Sequence, residues 1–329
     1  MALPSRTISF VDVGHGNCAV IHQPSGTFVI DAGPQSYLLD FLEKENISRI
    51  DSMIVSHADY DHLSGLLAVL SQNIPIENIY INPDGMKDSR LWEDVVYELE
   101  AHQHAGKLKV HSIAESKLQS AALGVVELEI LAPGTAMHLL GVGNSTKSGG
   151  RITANTNSVV IRVLNKNNPL ALLPGDMDIE GFEDILRRKL ELKAKYLIFP
   201  HHGGKSGKTD LLDFAMRLGN VVQPSTVLFS ISRNKFRNPR IEVLEGIHKV
   251  IPNANIACTQ LSKNCADSDY SGPLNHLVDT YSQGLENNNC CAGTVVIDLD
   301  DPNFENSARK KHIQFIQSNI STRLCGPFH

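Results

Sequence analysis

The chain of 329 residues has no apolar run approaching the roughly 18 residues that suggest a membrane span. No secretory leader is expected either, because MALPSRTISFVDVG passes straight into strand-like sequence, with no apolar stretch of signal-peptide type and no cleavage site. Both absences lead to the expectation of a cytoplasmic protein with no membrane partner. A basic excess is missing too, since 30 Lys and Arg stand against 36 Asp and Glu for a formal charge of −6. Proteins that live on phosphate contacts usually carry a basic footprint. A nucleic acid or nucleotide substrate would therefore have to be held by a local patch. Cysteine is sparse, at 18, 258, 265, 290, 291 and 325, and no CxxC pair occurs. Vicinal Cys290 and Cys291 do not readily bridge each other, and the spacing fits neither a zinc ribbon nor a disulfide framework, so reduced structural thiols are expected. No internal repeat of about 20–50 residues is present.

What the chain does have is a rhythm of short apolar strands and amphipathic helices. TISFVDV, CAVIHQ and TFVIDAG read as strands parted by glycine and proline turns. YLLDFLEKE has helical spacing, DSMIVS is a short buried strand, and SHADYDHLSGLLAVL is a polar loop opening a helix. IENIYIN, VVELEILAP, SVVIRVL, LALLPGD, AKYLIF, TVLFSI and TVVIDLD continue the strands. The segment Leu91–Ala101, IEGFEDILRRKL and KKHIQFIQSNI supply further helices. GVGNSTKSGGRITANTNS reads as a mobile surface loop. Nothing marks an interdomain linker, so residues 1–329 are expected to form one α/β (α+β) domain of two packed sheets covered by helices on both outer faces. A polar, Cys-containing extension begins at about 258.

The densest chemistry is His57-x-Asp59-x-Asp61-His62, four potential ligands in six residues where a buried strand gives way to a helix. Packed together, the carboxylates would push up each other's pKa, and a dication removes that repulsion. In an extended turn alternate residues point the same way, so His57 and Asp59 can face one metal. Asp61 and His62, at the turn into the helix, can reach a neighbouring one. The bland alternative is a charged loop with helix-capping aspartates. Two later segments weigh against it. Asp176 follows the apolar strand LALLPG, where a carboxylate suits a bridging role, although a cap for the helix at Ile179 would suit it as well. His201 and His202 follow AKYLIFP and lead into GGKSG, placing histidines at a strand tip beside small residues. GGKSG is not a phosphate loop, because Phe199 stands where that motif needs glycine.

Basic groups cluster nearby. Arg233-Asn234-Lys235-Phe236-Arg237 follows TVLFSI, and its charges flank an aromatic ring that could stack a base. A solvated loop is the alternative reading. Lys205 and Lys208, beside the histidine pair, could bind anions or simply face water. Arg309-Lys310-Lys311 reads as the exposed start of the last helix, and Trp92 as a core residue.

VDVGHGNCAVI, IDAG, SHADYDHLSG, NTNSVVI, LLPGD, PHHGG and NPRIEVLEGI together resemble the successive motifs of the metallo-β-lactamase superfamily, specifically the hydrolase-like domain of ComEC-type DNA-uptake proteins. The likeness runs from about Thr7 to Ala257. It implies a four-layer αββα sandwich and hydrolysis by a metal-bound hydroxide. Carried over by position, His57 and Asp59 would bind one ion, Asp61 and His62 the other, and Asp176 would bridge, with Asp61 and Asp176 central to catalysis. One of His201 and His202 would complete the set; the sequence leaves open which.

Asp59 replaces the superfamily's commoner histidine, which hardens the site toward Mn²⁺ or Mg²⁺ while Zn²⁺ stays a candidate. Asn155 and Asn157 stand where a third-motif histidine is usual, Asn17 where the ComEC-like pattern often has Asp, and Asn238 where it often has His. Asn157, Lys205, Arg233, Asn234, Lys235 and Asn238 are the candidate substrate contacts. The favoured reading is a two-metal phosphodiesterase or nuclease. An ester, thioester or amide hydrolase is the second. The third is a non-catalytic binding or regulatory module with a degenerate metal site, for which Asn17 and Asn238 are the support; a protein partner, met through the Cys-containing extension, is a separate candidate.

Overall fold

Short β-branched runs alternating with amphipathic helices build two mixed sheets in the computed structural model of this protein. The structure describes residues 3–72, 74–113, 116–118, 124–147, 149–207, 209–302 and 307–325. The first half runs β1 (Thr7–Phe10), β2 (Ala19–Gln23), β3 (Gly26–Ile30), α1 (Tyr37–Lys44), β4 (Ile50–Val55), α2 (Tyr60–Ser71), β5 (Ile76–Ile81), α3 (Arg90–His104) and β6 (Lys109–Ser112). It continues with β7 (Ser116–Leu118), β8 (Val126–Ala132), α4 (Thr135–Leu140), β9 (Val160–Asn165), β10 (Asn168–Leu173) and α5 (Ile179–Arg187). The rest comprises β11 (Tyr196–Ile198), α6 (Leu211–Val222), β12 (Thr226–Phe229), α7 (Ile241–Val250), β13 (Asn255–Cys258), β14 (Val295–Asp298) and α8 (Ser307–Asn319).

One sheet has the order β14-β1-β2-β3-β4-β5-β6 and the other β13-β12-β11-β10-β9-β8-β7. Between them lies a shared apolar layer in which Phe10, Phe28 and Ile54 meet Leu128, Ile161, Leu173 and Ile198. Leu38 and Phe41 of α1, Leu63 and Leu66 of α2 and Val95 of α3 cover the outer face of the first sheet, with Trp92 packed against them. Phe182, Phe214, Val243 and Phe315, from α5 to α8, cover the second. This is the αββα sandwich. Strands buried on both faces lack a polar alternation, which is why LALL and TVLF read as continuous apolar runs.

The extension past 258 is woven into the fold, because β14 pairs with β1 through Ile8 opposite Ile297 and α8 packs on the second sheet. Two local expectations change. The glycine-rich stretch after Leu140 is a surface loop only at first, since Ile152, Thr156, Asn157 and Ser158 turn inward and are buried. Arg309 is 2% exposed, bonded to the carbonyl of Ile256, the Asn255 side chain and His312, and is not an open helix start. Among the described residues, no helix is long and apolar enough to cross a membrane.

Candidate metal centre

Parallel pairing aligns β3 with β4, and β10 with β11 and β12, so their carboxyl ends deliver Asp31, His57, Asp176, the histidine pair and Ser230 to one edge of the sandwich. The first turn of α2 then folds His62 back over His57, with ring centroids 4.1 Å apart. Gly65 permits this docking: a Cβ there would lie 2.3 Å from the carbonyl oxygen of Ala32.

The orientation of each ring follows from its inner nitrogen. His62 Nδ1 donates to Asp31 Oδ2 at 2.8 Å, and Ser56 Oγ donates to that same oxygen at 2.8 Å. With the serine proton so committed, His57 Nδ1 donates to Ser56 Oγ at 3.1 Å. His202 Nδ1 donates to the carbonyl of Ser230 at 2.9 Å. All three rings therefore turn Nε2 toward one another and toward Asp176 and Asp61. His57 Nε2, His62 Nε2 and Asp176 Oδ1 are buried and have no hydrogen-bond partner. Buried polar atoms are almost always satisfied, so three unsatisfied ligand atoms in one place have the character of a cation site.

Two groups of three ligand atoms lie within 4.8 Å of one another: His57, His62 and Asp176, and His15, Asp61 and His202. Asp176 joins them, its Oδ1 lying 3.2 Å from His62 Nε2 and 3.7 Å from His202 Nε2. This differs from the pairing carried over by position. His62 goes with His57, because the helix turn stacks the two rings, and His15 takes the place beside Asp61. His202 belongs to such a group and His201 does not; His201 Nδ1 instead donates to Asp176 Oδ2 at 2.8 Å. Both histidines have left-handed backbones, φ 52° and 56°, which swing consecutive rings to separate partners. Asp59 joins neither group. One of its oxygens is 3.6 Å from His57 Nε2 and the other is held by Lys87 Nζ.

The electrostatics demand positive charge here. Burial alone would raise Asp176 and Asp61, but the fields of His62 and His202, with hydrogen bonds from His201 to Asp176 and from His202 to Asp61, hold both below the usual carboxylate range. Burial opposes a charge on His62, yet Asp176 and Asp31 outweigh it and raise its pKa. His15 goes the other way, lowered to about 3 by burial and by His202. A dication meets that demand without needing the protons.

The remaining sequence candidates separate. Asn157 is buried with Oδ1 unpartnered, and the Asn238 side chain packs on Gly204, next to the histidine pair. Lys205, Asn234 and Lys235 are exposed. Lys208 lies outside the described residues. Arg233 is a correction: it is 1% exposed, and its guanidinium donates to Asp269, to the carbonyl of Leu261 and to those of Asp267 and Ser268. It clamps the extension and cannot reach a substrate. Phe236, by contrast, is half exposed, and its ring lies 4.7 Å from His15, itself 4.2 Å from His202.

Sequence reasoning missed His15, Asp31 and Lys87. GHG at the first strand tip and IDAG were the available signals for the first two, while nothing local marks Lys87. The His15 loop presses on the α2 turn because a Cβ at Gly16 would lie 2.4 Å from the Asp61 carbonyl oxygen. Behind it, buried Asp12 accepts from Gly14, Gly284 and Gln260, tying that loop to the extension. Replacing Asp31 by Asn is expected to weaken Mn²⁺ binding by about 10–100-fold in calorimetry with an unchanged far-UV spectrum, since the partner that orients His62 and, through Ser56, His57 loses its charge.

The chain matches the family model described as the metallo-beta-lactamase superfamily over residues 11–201. ComE operon protein 3 of Bacillus subtilis (strain 168) is 24% identical over 260 residues, covering 72% of this chain. The match takes in 30% of that protein, so the chain spans under a third of its length. Among solved structures, the metallo-beta-lactamase fold protein YhfI from Bacillus subtilis is similar at 11% identity and TM-score 0.47, covering 78% of this chain and 98% of that one. Human tRNase Z, short form, is similar at 14% identity and TM-score 0.41, covering 68% and 92%.

Proposed function

The chain belongs to the metallo-β-lactamase superfamily, and from that premise we propose that it is a metal-dependent phosphodiesterase or nuclease holding two divalent cations, Mn²⁺ or Zn²⁺. The observation that carries this reading is the set of buried, unpartnered atoms on His57, His62 and Asp176, next to the His15, Asp61 and His202 group. Cations bound there would lower the pKa of water from ~15.7 towards neutrality and neutralise charge on a phosphoryl oxygen.

The chain's own residues do the positioning. Asp31 fixes the His62 ring directly and the His57 ring through Ser56, and the Ser230 carbonyl fixes that of His202. Asp176 is shared between the two groups, and His201 holds its outer oxygen. Exposed Lys205 and Lys235 supply local positive charge beside the histidine pair and Phe236 in a chain whose formal charge is −6. The half-exposed Phe236 ring, continuing the line of His202 and His15, offers a face to a nucleobase.

The test is the purified chain with Mn²⁺ or Zn²⁺ against single- and double-stranded DNA, RNA, cyclic nucleotides and bis-p-nitrophenyl phosphate, beside lactone, thioester and amide substrates. Phosphodiester cleavage lost on chelation supports the proposal. Turnover confined to the acyl substrates sinks it in favour of the ester-type hydrolase, and no turnover at all leaves the binding-module reading. Phe236→Ala is expected to raise KM for single-stranded DNA or RNA by roughly tenfold with kcat nearly unchanged, because stacking contributes about 1–3 kcal/mol per base.

A further inference from the structure

Asp59 occupies an odd position for a residue of the ligand motif. As N-cap of α2 it makes no capping bond with its side chain. One oxygen faces His57 Nε2 at 3.6 Å, and the other is claimed by the ammonium of Lys87. Lys87 comes from the turn between β5 and α3, and that turn is anchored on both sides. Asp84, itself buried, accepts from the backbone of Met86 at 3.1 Å and, through its carbonyl, from Lys87 at 3.2 Å. Two residues beyond Lys87, Ser89 caps α3 by accepting from Trp92. The Lys87 side chain is thus delivered to Asp59 from a fixed base. The two side chains are 27% and 34% exposed, so the ion pair sits at the mouth of the cluster where water can replace either partner.

We propose that Lys87 is an internal counter-ion of the metal centre, which makes its two halves unequal. Among the described residues, the half around His15, Asp61 and His202 has no lysine on its carboxylate, and it binds its cation first. The half of His57, His62 and Asp176 recruits Asp59 as its outer carboxylate and fills only when Lys87 releases it, because an ammonium and a dication on one carboxylate repel each other. Binding is therefore stepwise, and the protein carries a single ion when metal is limiting. This rests on the reading of the cluster as a metal centre, though not on the bond it hydrolyses.

The experiment is equilibrium binding of Mn²⁺ to the full chain, with free Mn²⁺ read by electron paramagnetic resonance. Wild type is expected to show two steps about tenfold or more apart. Lys87→Met, which keeps the stem and removes the charge, tightens the weaker step about tenfold and leaves the tighter one in place. Lys87→Arg keeps the wild-type separation. Asp59→Asn abolishes the weaker step, and adding Lys87→Met to it changes nothing further, as expected for two groups acting through one contact. An unchanged weaker step in Lys87→Met, or equal tightening of both steps, overturns the proposal. Two steps in wild type with that outcome would leave the metal centre standing, whereas no saturable Mn²⁺ binding in wild type removes the centre and this inference together.

Discussion

Under the proposed function, Asp176→Ala is expected to reduce phosphodiester hydrolysis by about 10³-fold or more, since several kcal/mol of charge stabilisation at the reacting phosphoryl group would depend on cations that its carboxylate would help to hold. The residue is 3% exposed. Its Oδ1 faces both His62 and His202, and its Oδ2 accepts from His201. Removing it leaves four imidazoles, including that of His57, converging on no common anion. Asp176→Asn keeps the shape and loses the charge, so it should fall nearly as far. The measurement is kcat together with bound metal by mass spectrometry. Full activity in both variants would show that the buried cluster is not the reacting centre. The backbone at this point is held independently, with the amide of Asp176 donating to Ser158 Oγ at 3.1 Å, so the loss should come without unfolding.

Arg233→Met should act in the opposite way, lowering stability by about 3 kcal/mol while leaving the chemistry of the surviving folded fraction intact. The buried guanidinium neutralises one exposed carboxylate, that of Asp269, and satisfies three backbone carbonyls of the extension. Methionine fills much of the volume and strands those carbonyls. The check is a chemical-denaturation midpoint beside KM. A raised KM at unchanged stability would return Arg233 to the substrate-contact role that its place in the sequence suggested. Lys235→Met, two residues along on an exposed part of the loop, is the contrast, with KM for nucleic acid expected to rise and the midpoint expected to stay.

Arginine misleads in the same way twice. Arg233 lies in an apparently solvent-facing basic run, as does Arg309, and both are clamps on buried carbonyls. A local sequence window contains the charge but not the carbonyls, which come from segments 28 and 53 residues away. Lys235 and Arg237, in the same run as Arg233, are exposed as the composition suggests. What separates the neighbours is side-chain direction, set by where β12 ends and the extension passes over it.

The order of strands and helices, the αββα layering and the places of His57, Asp61, His62, Asp176 and His202 were written in local pattern. Apolar runs of strand length mark buried strands, and ligand-type residues at their carboxyl tips mark a site wherever the sheets bring those tips together. Which atoms meet was decided by the tertiary structure alone. The stacking of His62 on His57, the arrival of His15 from the first loop, the choice of His202 over its neighbour and the capture of Asp59 by Lys87 all depend on side-chain directions. Those directions are fixed by packing between segments dozens to hundreds of residues apart, over which a linear sequence carries no distance.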